Sequence, residues 1–484
     1  MTTTTTWSEE IWRENILRRE LQSRAEGLAR LAKKLEDCED YPTDTPPKLC
    51  QLVNHTARLF AKDISLVPKD QLRNASLLLC NIAEHLRFVE RSKIESTPWS
   101  MVQATEHFFK KHTGQDCHFI IRPQWSYNYG LIGEFVNVYK TSVRAFKWFD
   151  ISEWEKAIGN IVNEKLFCVS FPRISRLNCL SHVNWGHEIG HIIAAEWIQN
   201  KFSHKWQKEE PKVKKEIEKN VQMNPPNVPV LFKKTEIQKM VAEKVSMAMN
   251  TAVQGLKELI SDALGVHFLG PAALASSSSF CAPYSLDESP LKRGMYPPWR
   301  YRLRLMTYAC EKDLITHDNS DNKEAKYPGM IIQPYFDWLS EIKGLVAIKT
   351  DKDVLSKDIV TKVAYKFIED NWDTIKNEVL DLLPSNSKQP YRLFEHVSEV
   401  KQLVGKLEHD ISPNEFGEFP DNTPASFEDI LNAAWVFKEL KLSKDSTWRS
   451  VDDFEKLYRL VLKAIESSFV HNKYGEKLKG LKNL

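Results

Sequence analysis

The stretch Gly186-His187-Glu188-Ile189-Gly190-His191 constrains this chain more than any other. Two histidines four residues apart, with a glutamate directly after the first, point both imidazoles to one side of a helix. The flanks support a helix here. Leu166 to Phe171 reads as a short buried strand upstream, and Ile192-Ile193-Ala194-Ala195 continues the apolar pattern downstream. Two histidines and an acid on one buried face are costly unless something binds them. Zinc suits the pattern, because it takes imidazole nitrogen readily and, in catalytic sites, keeps one position open for water. Two histidines then need one further protein ligand, and Glu188 leans toward the open position. A carboxylate there can take a proton from water attacking a carbonyl and return it to the leaving amine.

A long helix is expected at about residues 236–269. Ile237, Val241, Val245, Ala248, Ala252, Leu256, Leu259, Ala263 and Leu264 trace its apolar side. Beside that stripe lie Thr251, Gly255, Glu258, Asp262 and Gly265, a row of small and acidic residues. Two acids four apart between glycines point to a close approach by something positively charged.

Taken together, His187-Glu188-Ile189-Gly190-His191 and Glu258-Leu259-Ile260-Ser261-Asp262 resemble the zincin metallopeptidases of the glutamate-ligand kind. In those enzymes a second helix offers E-x-x-x-D, often E-x-x-S-D, to the same zinc. The resemblance covers these two helices. It implies one zinc per chain held by His187, His191 and Glu258, with Glu188 as general base and Asp262 hydrogen-bonded to a ligand histidine. The last role agrees with a general habit of metal-bound imidazoles, which donate their other N–H to a carboxylate or carbonyl. His267 competes with Glu258 as third ligand, although it falls on a different face of the helix. The chain departs from the family in having Lys257 before Glu258 and a long charged run, residues 201–229, between the two motifs. Ala194 and Trp197 replace the glycine and histidine that extend the first motif in another zincin branch.

Composition narrows the setting. At 484 residues and 42% hydrophobic, the chain can bury a large core in two or three domains or one elaborated domain. Lys and Arg total 67 against 65 Asp and Glu, so the balance gives no reason to expect nucleic acid or an anionic membrane as partner. The first residues lack the basic start and apolar run of a secretory signal, and no segment is apolar for the roughly 18 residues a membrane span needs. The eight cysteines contain no C-x-x-C pair, and several lie in apolar runs. A reducing, cytoplasmic setting is expected.

The expected fold is α+β and mainly helical, with three regions. Residues 1–115 form a helical N-terminal region and residues 346–484 a helical C-terminal one. Residues 116–345 form a zincin-like core with two metal-binding helices, a charged insertion at 201–235 and a small mixed sheet from 118–121, 127–139 and 166–171. An edge strand of such a sheet can hold an extended peptide by backbone pairing. His55 and His85 read as ordinary surface or core histidines. Residues 276–279 and 284–290 read as loop. In the basic and aromatic run that follows, Tyr296, Arg300 or Tyr301 could aim a donor at a developing oxyanion. The competing reading is a helix whose Arg300, Arg302 and Arg304 pair with acids elsewhere.

The function these readings favour is a zinc-dependent intracellular peptidase acting on a peptide or protein substrate, with no membrane partner. A catalytically silent zincin-like regulatory or interaction protein is the alternative. A nucleic-acid-binding protein using residues 300–304 ranks last.

Overall fold

Apolar residues at helical spacing become helix almost throughout the computed structural model, which describes residues 9–114, 116–226, 229–287, 296–311, 333–347, 358–417, 422–444, 447–448 and 450–482. The backbone forms two units, one of residues 1–110 and 114–176 and the other of residues 111–113 and 177–484. Mainly helical with a small mixed sheet, the protein has the expected class. No helix among the described residues is long and apolar enough to cross a membrane.

The first unit begins with α1 (Glu9–Glu36), α2 (Thr45–Asp63) and α3 (Leu72–Glu90), followed by α4 (Trp99–Thr113), whose last turn belongs to the second unit. Leu21, Ala25, Leu28, Ala32 and Leu35 recur every three or four residues on α1, and they share one apolar cluster with Leu49, Val53, Ala57 and Phe60 of α2. Three strands follow, β1 (Cys117–Gln124), β2 (Gly130–Ile132) and β3 (Lys165–Pro172), in the order β1-β3-β2. The central β3 pairs parallel with β1 and antiparallel with β2, so Ser170 lies opposite both Arg122 and Gly130.

The alternation read over residues 127–139 is strand only at β2. Glu134 ends it by accepting the backbone N–H of Asn137 at 3.0 Å, which caps α5 (Phe135–Ala145). Phe135, Val136, Tyr139 and Val143 are the buried face of that helix, a period of 3.6 that aromatic and β-branched content had disguised as strand. A short helix, α6 (Ile151–Ile158), then carries Trp154 into the core, where its indole N–H donates to Thr56 at 2.8 Å.

The second unit is built on one long helix. After α7 (Trp185–Trp197) and α8 (Ser203–Met223) comes α9 (Val230–Leu269), whose 40 residues make it about 60 Å long. The remaining helices are α10 (Pro271–Cys281), α11 (Trp299–Ala309), α12 (Gln333–Ala347), α13 (Ile359–Asp381), α14 (Val397–Glu408), α15 (Phe427–Lys444) and α16 (Val451–Lys482). Helices α7, α8, α11 and α13 pack directly on α9. The charged insertion is therefore half of a helical hairpin, with Trp206, Val213, Ile217 and Val221 buried on one face of α8.

Residues 276–279 are helical rather than loop. Pro271 starts α10, Ser278 returns its hydroxyl to the carbonyl of Leu274 at 2.8 Å, and Ser276 and Ser277 are buried. Asn432 secures the junction before it, accepting from Ala272 N–H at 3.1 Å and donating to the Leu269 carbonyl at 3.0 Å. Residues 288–295, including Lys292 and Arg293 of the basic run, lie outside the described residues, as do 1–8 and the start of the helix read from residue 353.

His85 is a core histidine. Its Nδ1 hydrogen-bonds with the buried Tyr139 hydroxyl at 2.9 Å, and its ring lies 4.9 Å from that of Phe135. Burial lowers its pKa to about 4. The unfolded chain therefore binds a proton more readily, and stability is lost as pH falls from about 6.5 toward 4, by at most about 3 kcal/mol. Urea unfolding at pH 7 and pH 4.5 should show this loss in the wild type and a smaller one in His85→Gln.

Candidate metal centre

Helix α7 brings His187 and His191 to the same side one turn apart, with ring centroids 4.6 Å from each other and planes at 84°. The glycines that flank them face α9. A Cβ added to Gly190 would lie 2.6 Å from Cα of Ser261, and one added to Gly186 would lie 2.8 Å from Leu269 and 3.5 Å from Cα of Gly265. Gly265 in turn leaves room for the backbone N of His187, 3.3 Å from where its own Cβ would be. The two helices thus meet backbone to backbone. Glu258, Ser261 and Asp262 of α9 all end up under the histidines.

Those three residues divide the work. Carboxylate Oδ1 of Asp262 lies 2.8 Å from Nδ1 of His187. The Ser261 hydroxyl gives its hydrogen to the Lys257 carbonyl at 2.6 Å, so at 3.0 Å it accepts from Nδ1 of His191. His191 is held at Nδ1 by the serine hydroxyl and His187 sits with Nδ1 against the Asp262 carboxylate, and both rings turn Nε2 toward Glu258. Its oxygens lie 3.6 Å from His187 Nε2 and 3.7 Å from His191 Nε2. Ligand atoms of His187, His191 and Glu258 all fall within 4.8 Å of one another, which makes them a possible metal-binding triad. Two imidazole nitrogens and one carboxylate oxygen form a donor set that zinc accepts.

Arg302 completes the arrangement from α11. Its guanidinium takes Asp262 in a fork, at 2.7 and 2.8 Å, and reaches Oε2 of Glu258 at 3.1 Å, while stacking on Trp299 at 4.2 Å. One arginine therefore faces two buried carboxylates. Against burial, which would raise it, Arg302 and the histidines hold the Glu258 carboxyl down to about 2, and Asp262 lower still. The excess negative charge is also visible in the histidines. Although burial disfavours a charged ring, Asp262 and Glu258 raise His187 to about 10, whereas burial and the neighbouring His187 lower His191 to about 4. A positive charge is drawn to the point between the two rings and Glu258.

The other residues singled out from the sequence fall in different places. Glu188 is buried next to His187 on α7. Tyr296 is half-buried, and its phenol is raised by burial and by the negative charge of Glu258 and Glu188, so it shares the field of the site. Arg300 is engaged elsewhere, donating to Asp287 and to the Leu345 carbonyl at 2.6 Å each. With Arg304, which donates to the Val346 carbonyl at 2.8 Å, it caps the C-terminal end of α12. Tyr301 packs its ring on Tyr365. His267 bonds through Nε2 to the Ser387 carbonyl at 2.8 Å and is not part of the triad. Arg302 was visible only as one of three arginines in a basic run. Ser261 was visible only as the serine of E-x-x-S-D.

Two substitutions test this geometry. In Asp262→Asn, zinc affinity measured by chelator competition should fall on the order of 10- to 100-fold while the helical circular dichroism persists. In Gly190→Ala, the added methyl must push α7 off α9, so urea unfolding should show a loss of about 1–3 kcal/mol or more, with weakened metal binding.

The chain matches no protein-family model, no curated protein sequence and no solved structure.

Proposed function

We propose that this chain is a zinc-dependent peptidase that uses His187, His191 and Glu258 as ligands and Glu188 as general base. The observation that carries the reading is the convergence of two Nε2 atoms on Glu258, with each ring fixed from behind by its own partner on α9. Bound there, zinc would polarise the substrate carbonyl and make a water molecule more acidic. The protein's own groups supply the rest. Asp262 and Ser261 keep the imidazoles oriented, and Arg302 holds Asp262 and Glu258 in place. Glu188 accepts a proton from the attacking water and delivers it to the departing amine, so the same carboxylate serves as base and then as acid. Tyr296 is the candidate donor to the developing oxyanion, since it shares the field of Glu258 and Glu188. Arg300 is a poorer candidate because Asp287 and the Leu345 carbonyl already occupy its guanidinium.

Cys38, Cys50, Cys80, Cys168, Cys179 and Cys281 carry free thiols, which favours a reducing compartment such as the cytoplasm. The arginines at 300, 302 and 304 are buried. Their burial favours the peptidase reading over a nucleic-acid surface at residues 300–304.

Two variants separate the peptidase from a silent metal-binding protein. Glu188→Gln should keep one zinc per chain by elemental analysis and lose cleavage of a peptide library on the order of 10²- to 10⁴-fold. Glu258→Ala should lose the zinc itself. Cleavage that survives in Glu188→Gln would defeat the mechanism, and full zinc occupancy in Glu258→Ala would reopen His267 as the third ligand.

A further inference from the structure

The sheet of the first unit contains a buried arginine for which the metal centre has no use. Arg122, on β1, is 7% exposed, and Ser170, its register partner on β3, is 1% exposed. Among the described residues, Nε of Arg122 and Oγ of Ser170 have no hydrogen-bond partner other than the Cys168 thiol, and no carboxylate is paired with the guanidinium. The Phe88 ring of α3 stacks on it, with its centre 4.3 Å from the guanidinium carbon. Stacking of this kind returns only part of what it costs to take a guanidinium out of water. It also uses the face of the group and leaves the hydrogen-bonding edge free. The Cys168 thiol lies on the same side of the sheet and is influenced by both Arg122 and Ser170. Burial nevertheless pushes it up to about 11, so at neutral pH it supplies no negative charge to balance the arginine.

The position is suggestive as well. Arg122 and Ser170 each lie two residues before the end of their strand, on the parallel pair of the sheet. Ligands of parallel sheets gather at the carboxyl ends of the strands. A guanidinium with no paired carboxylate and a hydroxyl with only a thiol beside it, side by side at that end, form a matched pair of donors. The guanidinium fork suits a planar, two-oxygen acceptor, and the serine adds a third donor.

From these contacts we propose that the first unit binds a carboxylate, with the guanidinium edge of Arg122 and the hydroxyl of Ser170 as its donors and the Phe88 ring behind. A free organic acid and the C-terminus of a peptide present the same group. The site is independent of zinc and of Glu188.

The test uses the full-length protein with sodium acetate, a short peptide with a free C-terminus, its amidated form and sodium phosphate as probes, at constant ionic strength held with chloride. Acetate should raise the melting temperature saturably, where chloride alone does not, and should move the Arg122 Nε–H resonance in ¹H–¹⁵N spectra. Arg122→Met should fold with unchanged or higher melting temperature, because it removes a buried charge, and should show no response to acetate. Arg122→Lys keeps a charge but lacks the fork and should bind acetate at least tenfold more weakly. Ser170→Ala should weaken binding several-fold. A response to the free peptide but not to its amide identifies a chain terminus as one source of the carboxylate. Equal responses to acetate and chloride, or an unmoved Arg122 resonance at saturating acetate, would overturn the proposal. Saturable binding of phosphate alone would overturn the carboxylate assignment.

Discussion

The close contact of α7 with α9 is the constraint on which the candidate metal site depends. Backbones of two helices approach this nearly only where side chains are missing, and Gly186, Gly190 and Gly265 are missing them where the helices meet. The approach lets a serine hydroxyl reach one imidazole and an aspartate reach the other, both through Nδ1. A separation larger by even one methyl would pull both contacts apart, and packed interiors do not absorb such shifts. The small residues of the motif thus shape the site as much as its ligands do.

Charge is the second organising element. Two carboxylates one turn apart on α9 share a single arginine, and the remaining negative charge is what raises His187 and favours a cation between the rings. The helix that supplies Arg302 divides its three arginines by geometry. At 100° per residue, Arg300 and Arg304 point to nearly the same side and cap α12, while Arg302 points away from them into the acids. The sheet presents the converse situation, in which Arg122 has an aromatic face and, among the described residues, no acid paired with it.

Much of this was legible in local sequence because it depends on spacing. The His187 and His191 pair needs only a helix, and so does the relation of Glu258 to Asp262. His267 follows Glu258 by nine residues, half a turn away on the helical wheel, and its bond to Ser387 shows the consequence. Errors arose where composition outweighed period. Residues 135–139 read as strand by their aromatic and β-branched content, whereas the Glu134 cap and the buried face at 3.6 spacing make them helix. Residues 276–279 looked like loop because serine favours turns, yet a buried serine can return its hydroxyl to the helix carbonyls.

By itself, then, the sequence determined which residues could act together along one helix, because helical periodicity is a property of neighbours. It also determined the mainly helical class with a small sheet, since apolar period and β-rich runs are local too. Only the tertiary structure decided that α7 lies against α9, that Arg302 joins Asp262 and Glu258 from 40 residues away, and that Arg300 does not. Those outcomes depend on which surfaces fit when the chain collapses, and nothing in the spacing of residues along the chain encodes the direction from which a distant helix arrives.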